Sequence, residues 1–294
     1  MATQAGIDLD VEALLNLRHL GARLRQPAAL PRSNLPGGIV HKRRGRGLEV
    51  HDIRAFVEGD DIRHLDRNVT ARTGVPHVRT FRDERERTTL LVADFRPSML
   101  FGTRRAFRSG AAGEALAALG WRAIAEGGRV GLVAVGPEAS QFARRGRGAR
   151  AMIGLVGEMA SAHRAALASM IVADKPLADG LAEAETLAGN GATIFVATGL
   201  DTPGADFDAA VSRIARRHEL VFVLVEDAFE RAAPPGAYPY VTSAGGAGWL
   251  RAGHEPPAAD PRVARLRRLG AQAMVLSSQL DAEAMATVLG QLHG

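Results

Sequence analysis

The stretch TTLLVADFRPSM, residues 88–99, joins a continuous apolar run to an aspartate, an arginine and a serine. A run without alternating polar residues predicts a strand that is covered on both faces, as in a parallel sheet flanked by helices. Similar runs recur at RVGLVAV (129–135), ATIFVAT (192–198), LVFVLVE (220–226) and AMVLS (273–277). We therefore expect these five runs to form the central sheet.

Patterns typical of helices separate these runs, around residues 105–126, 149–163, 177–188, 207–217 and 281–292. This alternation predicts an α/β fold over residues 88–294, a doubly wound, mostly parallel sheet with helices on both faces. Residues 233–261 contain too many glycines and prolines for a helix. They are predicted to form an irregular excursion, in which YPYVTS (238–243) makes a short strand.

The N-terminal part of the chain has a different pattern. Apolar positions between residues 9 and 25 have the spacing of an amphipathic helix, and a linker rich in proline and glycine follows. Residues 38–87 alternate short apolar segments with glycine and charge, which predicts a small β-rich lobe. The predicted organisation is thus helix and linker (1–37), lobe (38–87) and sheet domain (88–294).

Composition excludes several kinds of site. The 294 residues include no cysteine, which removes disulfides, thiolate metal sites and cysteine nucleophiles. The chain has no uninterrupted apolar run of roughly 20 residues, so direct membrane insertion is not expected. No early segment has the pattern of a signal peptide, and a cytoplasmic location is the default expectation.

Two basic stretches raise the question of nucleic acid binding: HKRRGRG (41–47) and RRGRGAR (144–150). Clustered arginines can neutralise phosphates, but aromatic residues make up only 5% of the chain, which leaves few platforms for base stacking. We therefore interpret both stretches as solvated loops that suit a protein partner with an acidic surface, and expect no nucleic acid partner.

Acidic residues cluster in EGDDIRHLD (58–66). Paired carboxylates can divide acid and base roles in an enzyme. Turn chemistry is the alternative that we favour, with Arg63 neutralising a neighbouring carboxylate. The residues assigned to this structural turn are Gly59, Asp60, Asp61, Arg63 and Asp66.

Motifs for catalysis are missing. Ser98 has no Gly-x-Ser-x-Gly elbow, and no histidine motif supplies a base for it. No phosphate-binding loop of either common type is present, so ATP is not an expected ligand. The sequence predicts a protein that is not an enzyme; a hydrolase using Asp94 with Ser98 is the alternative.

The Gly-Asp-Asp turn, TARTG (70–74) and the Glu-Arg pair at 86–87 resemble the domain of unknown function 58 family. This bacterial family is von Willebrand factor A-like and is often encoded beside MoxR-type AAA+ ATPases. The resemblance covers the chain from about the first helix to the C-terminus. It implies a von Willebrand factor A-like sheet, and a role as an adaptor or scaffold that works with a MoxR-type ATPase on client proteins.

The chain departs from this fold at the metal site. Proteins of this fold often hold magnesium through Asp-x-Ser-x-Ser after the first strand, a threonine in a second loop and an aspartate after the fourth strand. Here the first motif reads Asp94, Arg96, Ser98; the loop at 173–185 has no threonine. At the position of that aspartate the chain has Thr198, which ends the run at 192–198, and Gly199, with Asp201 displaced beyond them.

Arginine has no acceptor atom, so Arg96 would bring a positive charge to a ligand position. We expect a degenerate site with no cofactor, in which Arg96 replaces the ion and pairs with Asp94 or Asp201. Two alternatives remain open: a magnesium-dependent binding module that uses Asp94, Ser98 and Asp201, and an Arg96 that points into solvent while Asp94 caps the next helix. A partner-binding role is predicted for the strand-end crevice, with Asp94, Arg96, Ser98, Thr198 and Asp201 as its candidate residues.

Overall fold

The structure is a computed structural model that describes residues 6–24, 48–57, 60–83, 87–241, 246–252 and 260–293. Contacts divide the chain into two compact units, residues 28–86 and the remainder. The predicted linker, the basic stretch at 41–47, Gly59 and Glu86 lie outside the described residues.

The helices and strands are numbered in chain order. The strands are β1 (Leu48–Ala55), β2 (His77–Asp83), β3 (Thr88–Asp94), β4 (Arg129–Val135), β5 (Ser140–Arg147), β6 (Thr193–Thr198), β7 (Glu219–Glu226), β8 (Gly236–Val241), β9 (Ala247–Ala252) and β10 (Gln272–Ser277). The α-helices are α1 (Val11–Asn16), α2 (Arg18–Arg23), α3 (Arg67–Thr73), α4 (Arg108–Ala125), α5 (Gly148–Ala168), α6 (Leu177–Ala188), α7 (Phe207–Ala215), α8 (Ala228–Ala232), α9 (Pro261–Arg268) and α10 (Ala282–Leu289).

The smaller unit contains an antiparallel pair, β1 and β2, and the helix α3 between them. The prediction of strands and turns alone was wrong at α3. Asp66 caps this helix by accepting hydrogen bonds from the N–H groups of Asn68 and Val69. Gly74 ends it in the left-handed conformation, with φ of 73°. The capping residues at both ends therefore favour a helix at residues 67–73, although the short apolar segments of this region are typical of strands.

The larger unit is built on one six-stranded sheet in the order β10-β7-β6-β3-β4-β5. All neighbours are parallel except β4 and β5, which are antiparallel. The predicted fold class is thereby confirmed. The prediction of a solvated loop at 144–150 was wrong, because residues 144–147 belong to β5 and the next residue begins α5. An exposed edge strand carries no apolar run, so only its pairing with β4 reveals it.

Helices cover both faces of the sheet and enclose two apolar layers. On one face α4 is buried along most of its length because α1, α2, α5 and α10 surround it. On the other face lie α6, α7 and α9. Among the described residues, no helix combines the length and the apolar character needed to cross a bilayer.

The predicted N-terminal helix is present as two short helices that break at Leu17. They pack against α4: the indole N–H of Trp121 donates to the carbonyl of Leu14 at 3.1 Å. A Cβ on Gly21 would lie 2.5 Å from the Cβ of Trp121, so glycine permits this close approach of α2. The break therefore lets two short helices fit the surface of a third.

The excursion at 233–261 contains more regular structure than predicted. β8 and β9 form an antiparallel pair in which Gly236 faces Ala252 and Val241 faces Ala247. Trp249, on β9, is 69% exposed. The short strand predicted from the sequence is β8, and it pairs with a second strand, β9, that was not predicted.

Candidate functional site

Strands β3 and β6 are neighbours, and the chain leaves them in opposite directions, toward β4 and toward β7. In open parallel sheets, ligands bind at such a reversal, outside the carboxyl ends of the strands. The strand-end crevice lies at this position and has a volume of about 540 Å³. It is lined by Pro97, Ser98, Leu100, Ser169, Ile171, Val172, Asp174, Asp201 and Thr202. Of the five residues predicted to bind a partner there, Ser98 and Asp201 line the crevice, whereas Asp94, Arg96 and Thr198 are fully buried and cannot touch a partner directly.

Asp94, the last residue of β3, is fully buried beneath the crevice. Its Oδ1 accepts hydrogen bonds from the backbone N–H of Arg96 at 3.1 Å and from Nε of Arg96 at 2.9 Å. Its Oδ2 accepts from Nη2 of Arg96 at 2.8 Å and from the hydroxyl of Thr198 at 2.7 Å. Both carboxylate oxygens are therefore bonded to protein donors.

The guanidinium of Arg96 is fully buried, so the alternative in which it points into solvent is wrong. Besides its two bonds to Asp94, it donates through Nη1 to the carbonyls of Lys175 and Thr202, and through Nη2 to that of Asp201. These contacts satisfy all five N–H groups of a guanidinium. Burial alone lowers the pKa of Arg96, but the hydrogen bond and the charge of Asp94 raise it above its ordinary value.

The carboxylate of Asp201 does not contact Arg96. It accepts instead from Nη2 of Arg108 at 2.9 Å, while Nη1 of Arg108 donates to Glu230 at 2.8 Å. Arg108 also donates to the carbonyl of Ser98 and is only 4% exposed. A second buried arginine, from the first turn of α4, thus holds the rim of the crevice.

The loop after β6 has a strained backbone. Leu200 has φ of 65° and Thr202 has φ of 41°, a region that residues with a side chain rarely adopt. Such conformations cost about 1–3 kcal/mol each and persist where surrounding contacts hold them. Here the carbonyls of Asp201 and Thr202 both accept hydrogen bonds from Arg96. The guanidinium therefore fixes this loop against the floor of the crevice.

Ser98 and Asp174 meet across the crevice. The backbone N–H of Ser98 donates to Oδ1 of Asp174 at 2.9 Å, and Oδ2 of Asp174 lies 3.9 Å from Nη1 of Arg96. The hydroxyl oxygen of Ser98 is buried and has no hydrogen-bond partner within the described residues. No base in that part of the chain is therefore placed to take a proton from it.

The residues present do not fit a magnesium ion. Asp94 has no oxygen free of a protein donor, and the carboxylate of Asp201 is paired with Arg108. The oxygens that surround Arg96 are the kind that a hard cation prefers, but the guanidinium fills the space between them. In the described part of the chain, no three His, Cys, Asp or Glu side chains are grouped to hold a metal ion.

Apolar side chains border this charged floor. In the loop between α5 and α6, Met170 is 91% exposed, Val172 is 70% exposed and Ile171 is 40% exposed. Contiguous exposed apolar residues beside a crevice are typical of interaction sites. This segment has no motif in the sequence that predicts an interaction site.

A further buried carboxylate, Asp227, follows β7 at the same edge of the sheet. It accepts from the N–H of Thr103 at 3.0 Å, from the N–H of Phe229 at 2.9 Å, and from the hydroxyls of Thr103 and Ser278. Burial raises its pKa, but these hydrogen bonds, Thr103 first, lower the pKa below its usual value. Asp227 ties together the loops that follow β3, β7 and β10.

In the small N-terminal lobe, residues 38–87, the described acidic residues make turn and capping contacts. Asp60 accepts two hydrogen bonds from the guanidinium of Arg54, at 2.8 and 2.7 Å, and this contact lowers its pKa. The neutralising cation is therefore Arg54, and the prediction of Arg63 was wrong. Asp61 accepts from the backbone N–H of Arg63 at 3.0 Å.

Arg108, Asp174 and Asp227 also belong to this edge, and none of them was predicted from the sequence. Asp227 directly follows an apolar run, which is the signal that identified Asp94. Asp174 lies in the loop at 173–185, where the fold predicts a threonine ligand and not an aspartate. No sequence pattern marks Arg108, because it is the first residue of a helix, and its contacts at the rim of the crevice form only in the folded chain.

A family model described as "Protein of unknown function DUF58" matches residues 52–244. Two relatives, "Uncharacterized protein Rv1480" of Mycobacterium tuberculosis and "Uncharacterized protein Mb1516" of Mycobacterium bovis, are each 40% identical over 105 residues, which is 35% of this chain. The match spans 33%, about a third, of the length of these curated relatives.

Two solved structures show similarity at low sequence identity. The hypothetical protein BatB from Bacteroides thetaiotaomicron is 10% identical, with a TM-score of 0.45, over 70% of this chain and 98% of that one. The VWA domain of SpRpn10 is 11% identical, with a TM-score of 0.42, over 70% of this chain and 93% of that one. Since the family model spans well over half of the sequence, the resemblance seen in the residues is confirmed, and the chain belongs to the DUF58 family.

Proposed function

We propose that this protein is a non-enzymatic adaptor that binds other proteins through the strand-end crevice without a metal ion. One observation carries the proposal: a floor closed by the Asp94–Arg96 pair lies beside the exposed apolar loop at 170–172. The floor gives the crevice a fixed shape, and the apolar loop supplies the surface that a partner would bury.

Charge indicates what such a partner presents. Around the crevice the guanidinium groups of Arg96 and Arg108 form ion pairs with four carboxylates, so the acidic members of these pairs outnumber the basic ones. A partner segment with a lysine or arginine flanked by apolar side chains would complement this surface. The four carboxylates belong to Asp94, Asp174, Asp201 and Glu230.

The geometry favours binding over hydrolysis. A nucleophilic serine needs a base within hydrogen-bond reach, and the hydroxyl of Ser98 has no partner within the described residues. Asp94 is fully engaged by Arg96 and Thr198, so it is not free to attack a substrate or to move a proton. The hydrolase remains the weaker candidate.

A MoxR-type AAA+ ATPase is the partner that we propose, together with client proteins of that system. Support for this identity comes from membership of the family, whereas the crevice supports only a protein partner. Because Arg96 fills the space among the oxygen atoms, we expect the interaction to be independent of magnesium.

Direct binding between the full chain and the nucleotide-free MoxR-type ATPase of the same bacterium tests the proposal. Biolayer interferometry with and without EDTA should give the same Kd. The double variant Ile171→Ser/Val172→Ser should bind at least about tenfold more weakly, equivalent to about 1.4 kcal/mol. Ile153→Ser is the matched control, since Ile153 is 51% exposed on α5, away from the crevice lining, and should leave Kd unchanged.

Three outcomes would contradict the proposal in different ways. If Ile153→Ser weakened binding of the ATPase as much as the double variant, the crevice would not be the binding site. Loss of binding in EDTA would favour the magnesium-dependent module. An ATPase that does not bind at all, combined with turnover in esterase or phosphatase assays, would favour the hydrolase.

A further inference from the structure

Strand β5 forms one edge of the six-stranded sheet. It pairs with β4 on one side, and within the described residues no strand pairs with its other side. The outward backbone N–H and C=O groups of an edge strand are available to an additional strand. Among the residues that the structure describes, the outer edge of β5 is therefore open to pairing, and it is distinct from the strand-end crevice.

This edge is strongly basic. Residues 140–150 contain four arginines and no acidic residue, and all four arginines are exposed: Arg144, Arg145, Arg147 and Arg150. Arg144 and Arg150 make no ion pair within the part of the chain that the structure describes, and Arg145 donates to the carbonyl of Ala188. The first turn of α5, which follows directly, also has no acidic residue.

The strand is regular at its start and irregular within its basic part. Val135 faces Ser140 and Leu132 faces Ala143, whereas Val130 faces Gly146, so β5 has one extra residue opposite β4. Such a bulge twists an edge strand and discourages continued pairing. Residues 140–143 thus remain suited to pairing, with exposed Phe142 among them, and the arginines lie beyond.

We propose that β5 binds an extended acidic segment of a protein partner, which adds to the sheet as a further strand. The partner's backbone would pair along residues 140–143, and its glutamates or aspartates would lie beside the arginines that follow. A second copy of β5 would bring its own arginines, and like charges facing each other across strands are unfavourable. Charge therefore selects an acidic partner.

Nucleic acid is the competing ligand for an arginine cluster. Single strands are bound through backbone charge together with aromatic platforms, and Phe142 is the one aromatic residue between 140 and 150. A phosphate backbone would also leave the open N–H and C=O groups of residues 140–143 without matching partners. The combination of an open strand and a positive charge fits a peptide better.

Fluorescence anisotropy with the full chain tests the proposal. The probe is a labelled peptide of about ten residues that alternates glutamate and valine; comparison peptides have lysine for glutamate, or N-methyl groups on alternate amides. Arg144→Ser/Arg150→Ser should weaken binding of the acidic peptide at least tenfold. Arg164→Ser/Arg216→Ser, which removes two exposed arginines elsewhere, should not change it.

Backbone pairing between β5 and the peptide can be measured separately from the contribution of charge. N-methylation of the edge that faces β5 should abolish binding, and the acidic peptide should slow amide exchange within residues 140–147. Equal binding of the N-methylated peptide, equal effects of the two double variants, or tighter binding of a labelled oligothymidine would each overturn the proposal. Ile171→Ser/Val172→Ser should leave peptide binding unchanged, so failure here is separable from failure of the crevice.

Discussion

The guanidinium of Arg96 donates five hydrogen bonds beneath the strand-end crevice, and its removal would leave Asp94 buried without a cation. Breaking a buried ion pair by removing one partner typically costs about 3–5 kcal/mol. We expect Arg96→Ser to lower the free energy of unfolding by about this amount in urea denaturation followed by tryptophan fluorescence. Arg105→Ser is the control: its pair with Glu114 is partly exposed and should cost about 1 kcal/mol or less.

The same variant tests the relation between Arg96 and a metal ion. Without the guanidinium, the carboxylate of Asp94 and three carbonyls would surround a space suited to a hard cation. Millimolar magnesium should therefore raise the urea midpoint of Arg96→Ser and leave that of the parent unchanged. A parent that magnesium stabilises, or a variant as stable as the parent, would show that Arg96 does not replace an ion.

At the scale of elements, the close approach of α2 to α4 depends on Gly21. An added Cβ would lie 2.8 Å from the backbone N of Arg122 as well as close to Trp121, and backbone atoms cannot turn aside. Gly21→Ala should lower the free energy of unfolding by about 1–3 kcal/mol, as overpacking does. Urea denaturation measures the change.

Gly157 supplies the matched helical control for that substitution. It lies in α5 and is exposed, and a Cβ added there would have no neighbour within 4 Å. Gly157→Ala should raise the free energy of unfolding by about 0.5–1 kcal/mol, because alanine loses less backbone entropy in a helix. If both alanine variants shift the urea midpoint in the same direction, the packing argument for α2 fails.

At the scale of the whole molecule, stability should depend on pH through His163. This side chain is 1% exposed, its Nε2 lies 2.9 Å from the hydroxyl of Ser109, and the ring of Phe95 packs edge-on against it. Burial lowers the pKa of His163 from 6.5 to about 4, opposed by the charge of Asp8. The neutral ring is therefore the form that the folded state prefers.

The direction of the pH dependence follows from that shift. Below pH 6.5 the unfolded state takes up the proton first, so the contribution is complete above this pH and is lost toward pH 4. Between about pH 7 and about pH 4.5 the loss is about 2 kcal/mol. His163→Gln should remove this part of the acid destabilisation in urea titrations, whereas His19→Gln, at an exposed position, should retain it. Equal pH dependence in parent and His163→Gln would contradict the argument.

The sequence by itself determined the sheet and which polar residues lie at its carboxyl edge. Continuous apolar runs can be satisfied only where both faces are covered, so they predict parallel strands; polar residues that follow such runs lie at the carboxyl edge. An arginine at position 96 is likewise a local fact, since it cannot act as a metal ligand. The resemblance to the DUF58 family was likewise visible in short sequence motifs, such as TARTG (70–74).

Tertiary structure alone decided how the site is connected. Arg96 donates to the backbone carbonyls of Lys175, Asp201 and Thr202, which are 79 to 106 positions away. Because every residue has a backbone carbonyl, no side chain in the sequence indicates these contacts. The carboxylate of Asp201 pairs with Arg108, which lies 93 positions away, because proximity in the folded chain selects the partner and separation along the sequence does not. β5 is a strand only through its pairing with β4, since an exposed edge needs no apolar pattern. Local patterns fix what each segment can bury, whereas pairings between distant segments depend on the folded chain.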